Sequence, residues 1–325
     1  MNEMYKTPPK SVLNPVKESI ELINRYTPQN LVNKLIEKLS NYAGVPQESI
    51  FLSSGSDLLI KEFIFLFSNN RQIIIAEPTF IIINNSAQNA ESSLIKIRLK
   101  EPDFKLPINA LLDQLNIPSV LVFDNPNNPT GSLIINQNDI ETILQYRNAI
   151  LLIDEAYFEF SKVSYVKLIS NYPNLAVVRT LSKAFGLAGS GIGYMIVGDL
   201  IREKFRGLDI MLPYPSVVAG LSALEHQYFM KDYLKEIEHE KKRIVDKLTD
   251  LNLICFPSYT NFILIKSNIS NISEMLAERG ILVHDATNQL SPGYFRVTIG
   301  SVRENDYFLD TLKNIIENYG NQFKI

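Results

Sequence analysis

What most constrains this chain is a repeated beat. Short apolar runs of strand character occur at residues 50–52, 73–76, 94–99, 120–123, 150–153, 176–179 and 193–197. Helical patterns lie between several of them, as at 57–67 and 139–145. Each run is too short and too continuously apolar for a surface helix, and Gly, Pro, Asn and Asp punctuate the gaps. Strands alternating with helices predict an α/β fold: a mostly parallel sheet covered by helices on both faces.

The same beat sets out the chemistry. The run ending at Phe123 is followed by Asn125-Pro126-Asn127-Asn128-Pro129-Thr130-Gly131, the next by Asp154-Glu155-Ala156-Tyr157, and the next by Thr180-Leu181-Ser182-Lys183. Alone, the first is an ordinary turn, the Asp an ordinary helix cap and the Lys an ordinary surface residue. Their order, each behind its own strand, is the signal. In an open α/β sheet, ligands bind in the crevice beyond the carboxyl ends of the strands. Asn128, Asp154, Tyr157 and Lys183 are therefore expected to hold one cofactor and act with it.

Residues 1–27 are polar and proline-punctuated, and read as an arm rather than a packed layer. Thr27-Pro28 is expected to open a helix that Gly44 stops. Residues 28–215 make the large domain. After Met211-Leu212-Pro213-Tyr214-Pro215 the rhythm changes: one long helix over 216–251, strand patterns at 262–265 and 295–299, and closing helices make residues 216–325 a smaller α+β domain.

Composition narrows the class. A formal net charge of -3 offers no basic field for nucleic acid, and Lys241-Lys242-Arg243 sits among acids as a solvated helix face. A lone cysteine, Cys255, forms no internal disulfide and fits a reducing compartment. Three histidines without a second cysteine make no zinc pattern. No apolar stretch suits a signal peptide or a membrane span, so a cytoplasmic protein is expected.

As an ordered set, Ser54-Gly55-Ser56-Asp57, Glu77-Pro78-Thr79-Phe80, residues 125–131, Asp154-Glu155-Ala156-Tyr157, the Thr180–Gly189 block and Phe295-Arg296-Val297-Thr298-Ile299-Gly300 resemble the fold-type I aminotransferases that use pyridoxal 5'-phosphate (PLP), in the branch containing histidinol-phosphate aminotransferase. The resemblance implies Lys183 as the Schiff-base lysine, Asp154 on the pyridinium N–H, Tyr157 and Asn128 on the phenolate oxygen, and Phe80 on the ring face. It implies a phosphate site from Ser56 and Asp57 at a helix start, with Thr180 and Ser182. Tyr26 matches a residue that reaches the phosphate of a neighbouring subunit, which implies a homodimer. Arg296 matches the substrate-carboxylate arginine, whose fork suits that group. An amino donor such as glutamate and an oxo acceptor are the implied partners.

Three positions depart from the pattern. The arginine that clamps the cofactor phosphate is replaced by Gly191, and the arginine that recognises a substrate phosphate by His284. The Asn-Glu-Asn-Pro block that covers the site is missing from the amino-terminal stretch. Threonine-phosphate decarboxylase or another amino-acid aminotransferase, on the same scaffold, and a PLP-fold binding protein without turnover remain as alternative readings.

Overall fold

The structure, a computed structural model, describes residues 1–206 and 211–322, with side chains to residue 318. Residues 207–210 of the expected larger domain and 323–325 of the expected smaller one fall outside the described residues.

The larger sheet has seven strands: β1 (Ile50–Ser54), β2 (Gln72–Glu77), β3 (Leu94–Arg98), β4 (Ser119–Asp124), β5 (Ala149–Asp154), β6 (Leu175–Thr180) and β7 (Ile192–Val197), in the order β1-β7-β6-β5-β4-β2-β3. The run β6-β5-β4-β2-β3 is parallel, and β7 is antiparallel to both its neighbours. The strands' alternation sorts their apolar residues into two cores. Ile74, Leu121, Phe123, Leu151 and Ile153 pack into one, and Ile73, Ile75, Val120, Val122 and Leu152 into the other. Burial on both faces explains why these strands read as unbroken apolar runs. Each such side chain contributes about 1.5–3 kcal/mol.

A second sheet, wholly antiparallel, carries β8 (Ile254–Cys255), β9 (Phe262–Lys266), β10 (His284–Asp285) and β11 (Tyr294–Thr298) in the order β10-β11-β9-β8. Tyr233, Ile237, Ile244 and Leu248 from helix Tyr228–Asp250 and Phe308, Leu309 and Leu312 from the closing helix form its core with Ile263, Ile265 and Phe295. Among the described residues, no helix is long and apolar enough to cross a membrane.

Three local expectations are corrected. The helix expected over 216–251 is two helices, Tyr214–Glu225 and Tyr228–Asp250, broken at His226 (φ -114°, ψ 47°). Val217, Ala219 and Ala223 of the first join the core of the large sheet, while the second covers the small one, so one straight rod cannot serve both surfaces. Gly220 sits at the tightest point: a Cβ there would lie 3.0 Å from Ile192 and Leu35 side chains. Secondly, residues 1–27 are not a loose arm. Lys10–Ser19 is a helix that packs on Tyr214–Glu225 and buries Val12 completely. Thirdly, Thr27 caps nothing; its hydroxyl donates to Leu212 O at 2.6 Å, and the helix Gln29–Ala43 begins behind Pro28 with no side-chain cap. On this packing we propose that the larger unit extends through Glu225.

Candidate active site

The strand directions bring one edge of the sheet together. β4 ends on Asp124 and β5 on Asp154, which are register partners, and β6 ends on Thr180, two residues beyond the Val178 that pairs with Asp154. Ser54 closes β1 opposite Ile192, the first residue of β7, which places Gly191 on the same edge. Phe80 follows β2. These residues line a cavity of about 460 Å³, roofed by Arg296 of the small sheet and by residues 1–3. That size is typical of a small-molecule site.

Two buried carboxylates lie at its floor. Asp154 accepts a hydrogen bond from Ala156 N at 3.0 Å, and no cation among the described residues lies within ion-pair distance. Burial and the neighbouring Asp124 raise its pKa to about 8. Asp124 is better satisfied: it accepts from Thr79 Oγ1 at 2.6 Å, Asn128 N at 2.7 Å, Asn127 Nδ2 at 3.0 Å and Phe80 N at 3.2 Å. Burial still pushes it up to about 6 against those donors. Glu155, next in sequence, turns away from the cavity. It takes the guanidinium of Arg179 at 2.8 Å and the backbone N–H of Tyr165 at 2.7 Å, in a buried ion pair behind the strand ends. Adjacent acids thus part company, one facing the cavity and one in the scaffold.

The asparagine-rich turn divides its work. Asn125 Oδ1 accepts from Ile134 N at 2.7 Å and Asn127 Oδ1 from Thr130 Oγ1 at 2.6 Å, so both fold the loop. Asn128 faces the cavity, where Arg296 donates to its Oδ1. An amide accepting at oxygen keeps its Nδ2 free to donate inward. The Arg296 plane lies 5.0 Å from the Phe262 ring centre, and its Nε is buried without a partner. Tyr157 is buried, and its hydroxyl accepts from Asn2 Nδ2 at 2.8 Å. Lys183 Nζ lies 3.2 Å from Met1 O. Burial lowers its pKa, opposed by Asp57 and Asp154.

At the opposite end the sequence builds an anion cup. Helix Ser56–Phe67 starts behind Gly55, held at φ 99°. Its N-terminus can lean on β7 because Gly193 has no side chain: a Cβ there would stand 2.2 Å from Ser56 N. Free N–H groups and the positive end of the helix dipole face the cavity. Thr180 Oγ1 lies 2.8 Å from Ser182 Oγ and 3.0 Å from Ile192 O, which sets two hydroxyls on the rim. Gly191, at φ 54°, adds only backbone to this wall.

Eleven of the twelve site residues read from sequence line this one cavity, from Ser56, Asp57 and Phe80 through Asn128, Asp154 and Tyr157 to Thr180, Ser182, Lys183, His284 and Arg296. Tyr26 does not; it is 83% exposed on the outer surface. His284 is largely exposed, yet its ring Nε2 lies 2.9 Å from Gln289 Oε1. Partial burial and the Arg296 charge hold its pKa below the ordinary value, so at neutral pH it brings no fixed positive charge. Sequence reasoning missed Asp124, although its register opposite Asp154 is the signal that finds it. It also missed Asn2, whose contacts span 155 and 296 residues and leave no local signature.

A lysine of lowered pKa, an unpaired buried carboxylate and a helix N-terminus that can hold an anion meet in one cavity, a set that fits a phosphorylated cofactor with a cationic ring. The chain belongs to the class I and II aminotransferases, whose family model matches residues 1–312. It is 31% identical to the histidinol-phosphate aminotransferase of Sulfurisphaera tokodaii, over 98% of this chain and 90% of that protein. The crystal structure of the histidinol-phosphate aminotransferase from Clostridium acetobutylicum superposes with a TM-score of 0.89 at 25% identity, covering 98% of both chains. A third, the Sinorhizobium meliloti histidinol-phosphate aminotransferase in complex with PLP, gives 0.85 at 22% identity over 98% of this chain and 90% of that one. The family uses PLP. The unpaired Asp154 carboxylate is the feature here that fits it, because a protonated pyridine nitrogen is the counter-charge that this acid lacks.

Proposed function

We propose that the chain exchanges an amino group between a carboxylate-bearing donor such as glutamate and an oxo compound of the histidinol-phosphate type, in the cytoplasm, as a homodimer. The convergence of Lys183, Asp154, Tyr157 and Arg296 on one cavity carries this reading. PLP supplies an electron sink for the pair left when the substrate Cα–H bond breaks. Lys183 Nζ carries the cofactor; once freed, its amine takes the Cα proton and returns it, a task for which burial has lowered its pKa toward the working range. Asp154 keeps the ring nitrogen protonated. Tyr157 and Asn128 donate to the ring oxygen, and Phe80 covers one face.

Ser56, the backbone of Asp57, Thr180 and Ser182 hold the cofactor phosphate. The Arg296 fork, with Nε buried and unpartnered, takes the substrate carboxylate. His284, on the cavity wall, is assigned to a substrate phosphate, as a hydrogen-bonding group rather than a fixed charge. Tyr26, exposed on this chain, is assigned to the phosphate cup of a second copy. The single cysteine supports a reducing compartment.

The test is a half-reaction. Purified protein with PLP should show a visible band that glutamate bleaches with stoichiometric 2-oxoglutarate, and histidinol phosphate should do the same from the other side. Release of carbon dioxide without an oxo product would overturn the transaminase reading. Arg296→Gln should raise the KM for glutamate by at least about tenfold, since it deletes a bidentate charge-assisted contact. An unchanged KM would remove Arg296 from the substrate site.

A further inference from the structure

Residue 2 is tied into the site from both sheets. Asn2 is 2% exposed, although it lies in a polar stretch, and its backbone sits in the left-handed region at φ 55°. Asparagine is one of the few residues with a side chain that tolerates that conformation. Three groups hold it there. Its Nδ2 donates to Tyr157 Oη at 2.8 Å, its Oδ1 accepts from Thr298 Oγ1 at 2.7 Å, and its backbone O accepts from Asn261 Nδ2 at 3.1 Å. Tyr157 belongs to the large sheet's edge, whereas Asn261 and Thr298 flank and end the small sheet's paired strands β9 and β11. Met4, two residues on, packs over Gly186, where a Cβ would meet its sulfur at 2.7 Å.

We propose that Asn2 is a positioning residue that makes Tyr157 a one-way hydrogen-bond donor into the cavity. A phenol has one proton and can otherwise turn it either way. When Asn2 donates to Tyr157 Oη, that oxygen's accepting role is taken and its hydrogen is left for the cavity, where the ring oxygen of the cofactor is to be met. The amide is the right group for this. Its oxygen is fixed by Thr298, which leaves its nitrogen for Tyr157, and the short side chain spans both only because the backbone is held at φ 55°. Asn2 touches neither cofactor nor substrate in this role; it acts through Tyr157.

The proposal rests on the PLP reading and is tested on the loaded protein by following the pH titration of its visible band. A donor on the ring oxygen stabilises it as an anion without the proton it shares with the lysine linkage. Removing that donor therefore raises the pKa of the linkage. Asn2→Asp is isosteric but accepts where Asn2 donates, so it turns the Tyr157 proton away from the cavity. It should raise the titration midpoint by about one pH unit. Asn2→Ala, which adds no charge, should raise it by less.

The same Asn2→Asp change in a Tyr157→Phe background should add little, because the hydroxyl it acts through is gone. An equal shift in both backgrounds would mean that a charge acts through space, and would overturn the proposal. So would a wild-type midpoint in Asn2→Ala together with undiminished PLP affinity. A wild-type protein that develops no visible band with excess PLP would sink the cofactor reading, and the proposal with it.

Discussion

At the Asp154 end of the cavity, most polar groups are braced by another, Asp154 itself excepted. Asp124 takes four donors, Arg296 orients Asn128, Asn2 orients Tyr157, and the Glu155–Arg179 pair stands behind the strand ends. At the Ser56 end, the proposed phosphate site offers backbone N–H groups, a helix dipole and small hydroxyls, with glycine at 191. On the proposed function, the first end would hold a ring accurately and the second an anion with more tolerance. A ring whose electronics drive the reaction needs fixed partners, because preorganised dipoles are the main source of rate. An anchoring phosphate needs only enough favourable charge to stay.

The sharpest way to break the comparison is at Lys183, which lies between the two ends. Lys183→Ala should abolish the covalent band and lower turnover by roughly 10⁴-fold or more, since carrier and base are lost together. PLP should still bind through the cup, measured by fluorescence or equilibrium dialysis. If binding vanished as well, the cup would hold nothing without the lysine, and the two ends would not be separable.

Asp154→Asn should come next. The amide keeps the shape but removes the negative charge that holds the ring nitrogen protonated, and kcat should fall by at least about a hundredfold, with smaller loss in cofactor affinity. A variant with near-normal kcat would assign the ring nitrogen to another partner, with Asp124 the first to examine.

The pH dependence of stability separates the ends without mutation. In the protein without cofactor, burial raises Asp154 to about 8 and Asp124 to about 6, both above the ordinary carboxylate value. A folded state that holds protons more tightly than the unfolded chain is favoured at low pH. Stability should therefore fall as pH rises from about 4 through about 8. PLP reverses the sign at Asp154, because its cationic ring stabilises the carboxylate. Melting curves at pH 5 and pH 8 should show the cofactor-free protein losing stability with rising pH, and the loaded protein losing distinctly less. Parallel slopes would mean that Asp154 does not face the cation.

How much of this was legible in sequence follows the range of each interaction. The sheet, the strand-end residues Asp154 and Thr180 and the lysine beyond them are written in short-range patterns, because a strand's burial and the turn after it depend on adjacent residues. The direction in which a side chain faces is decided across strands. Glu155 and Asp154 are adjacent acids in the string, and it is the Arg179 guanidinium and the Tyr165 N–H that draw Glu155 into the scaffold. The break at His226 depends on two cores that a helical period cannot see. Asn2 is the extreme case: its partners Tyr157, Asn261 and Thr298 all lie 155 or more residues away.

The smallest effect tests the permissive end directly. Gly191→Arg restores a guanidinium beside the cup. Space allows it, since the nearest atom to a Cβ there would be the Ser54 carbonyl carbon at 3.9 Å. The backbone opposes it: at φ 54° a side chain costs roughly 1–2 kcal/mol. A charge-assisted contact to the phosphate returns about 1.5–3 kcal/mol. The backbone strain is carried with and without PLP, so it lowers the variant's melting temperature rather than its affinity; PLP should bind roughly tenfold tighter in equilibrium dialysis, with kcat little changed because the ring end is untouched. Adding salt should narrow the difference, as screening weakens the new charge at the partly open rim. Weaker binding by the variant would show that the left-handed turn at Gly191 is itself part of the cup, its backbone shape worth more to the phosphate than a cation.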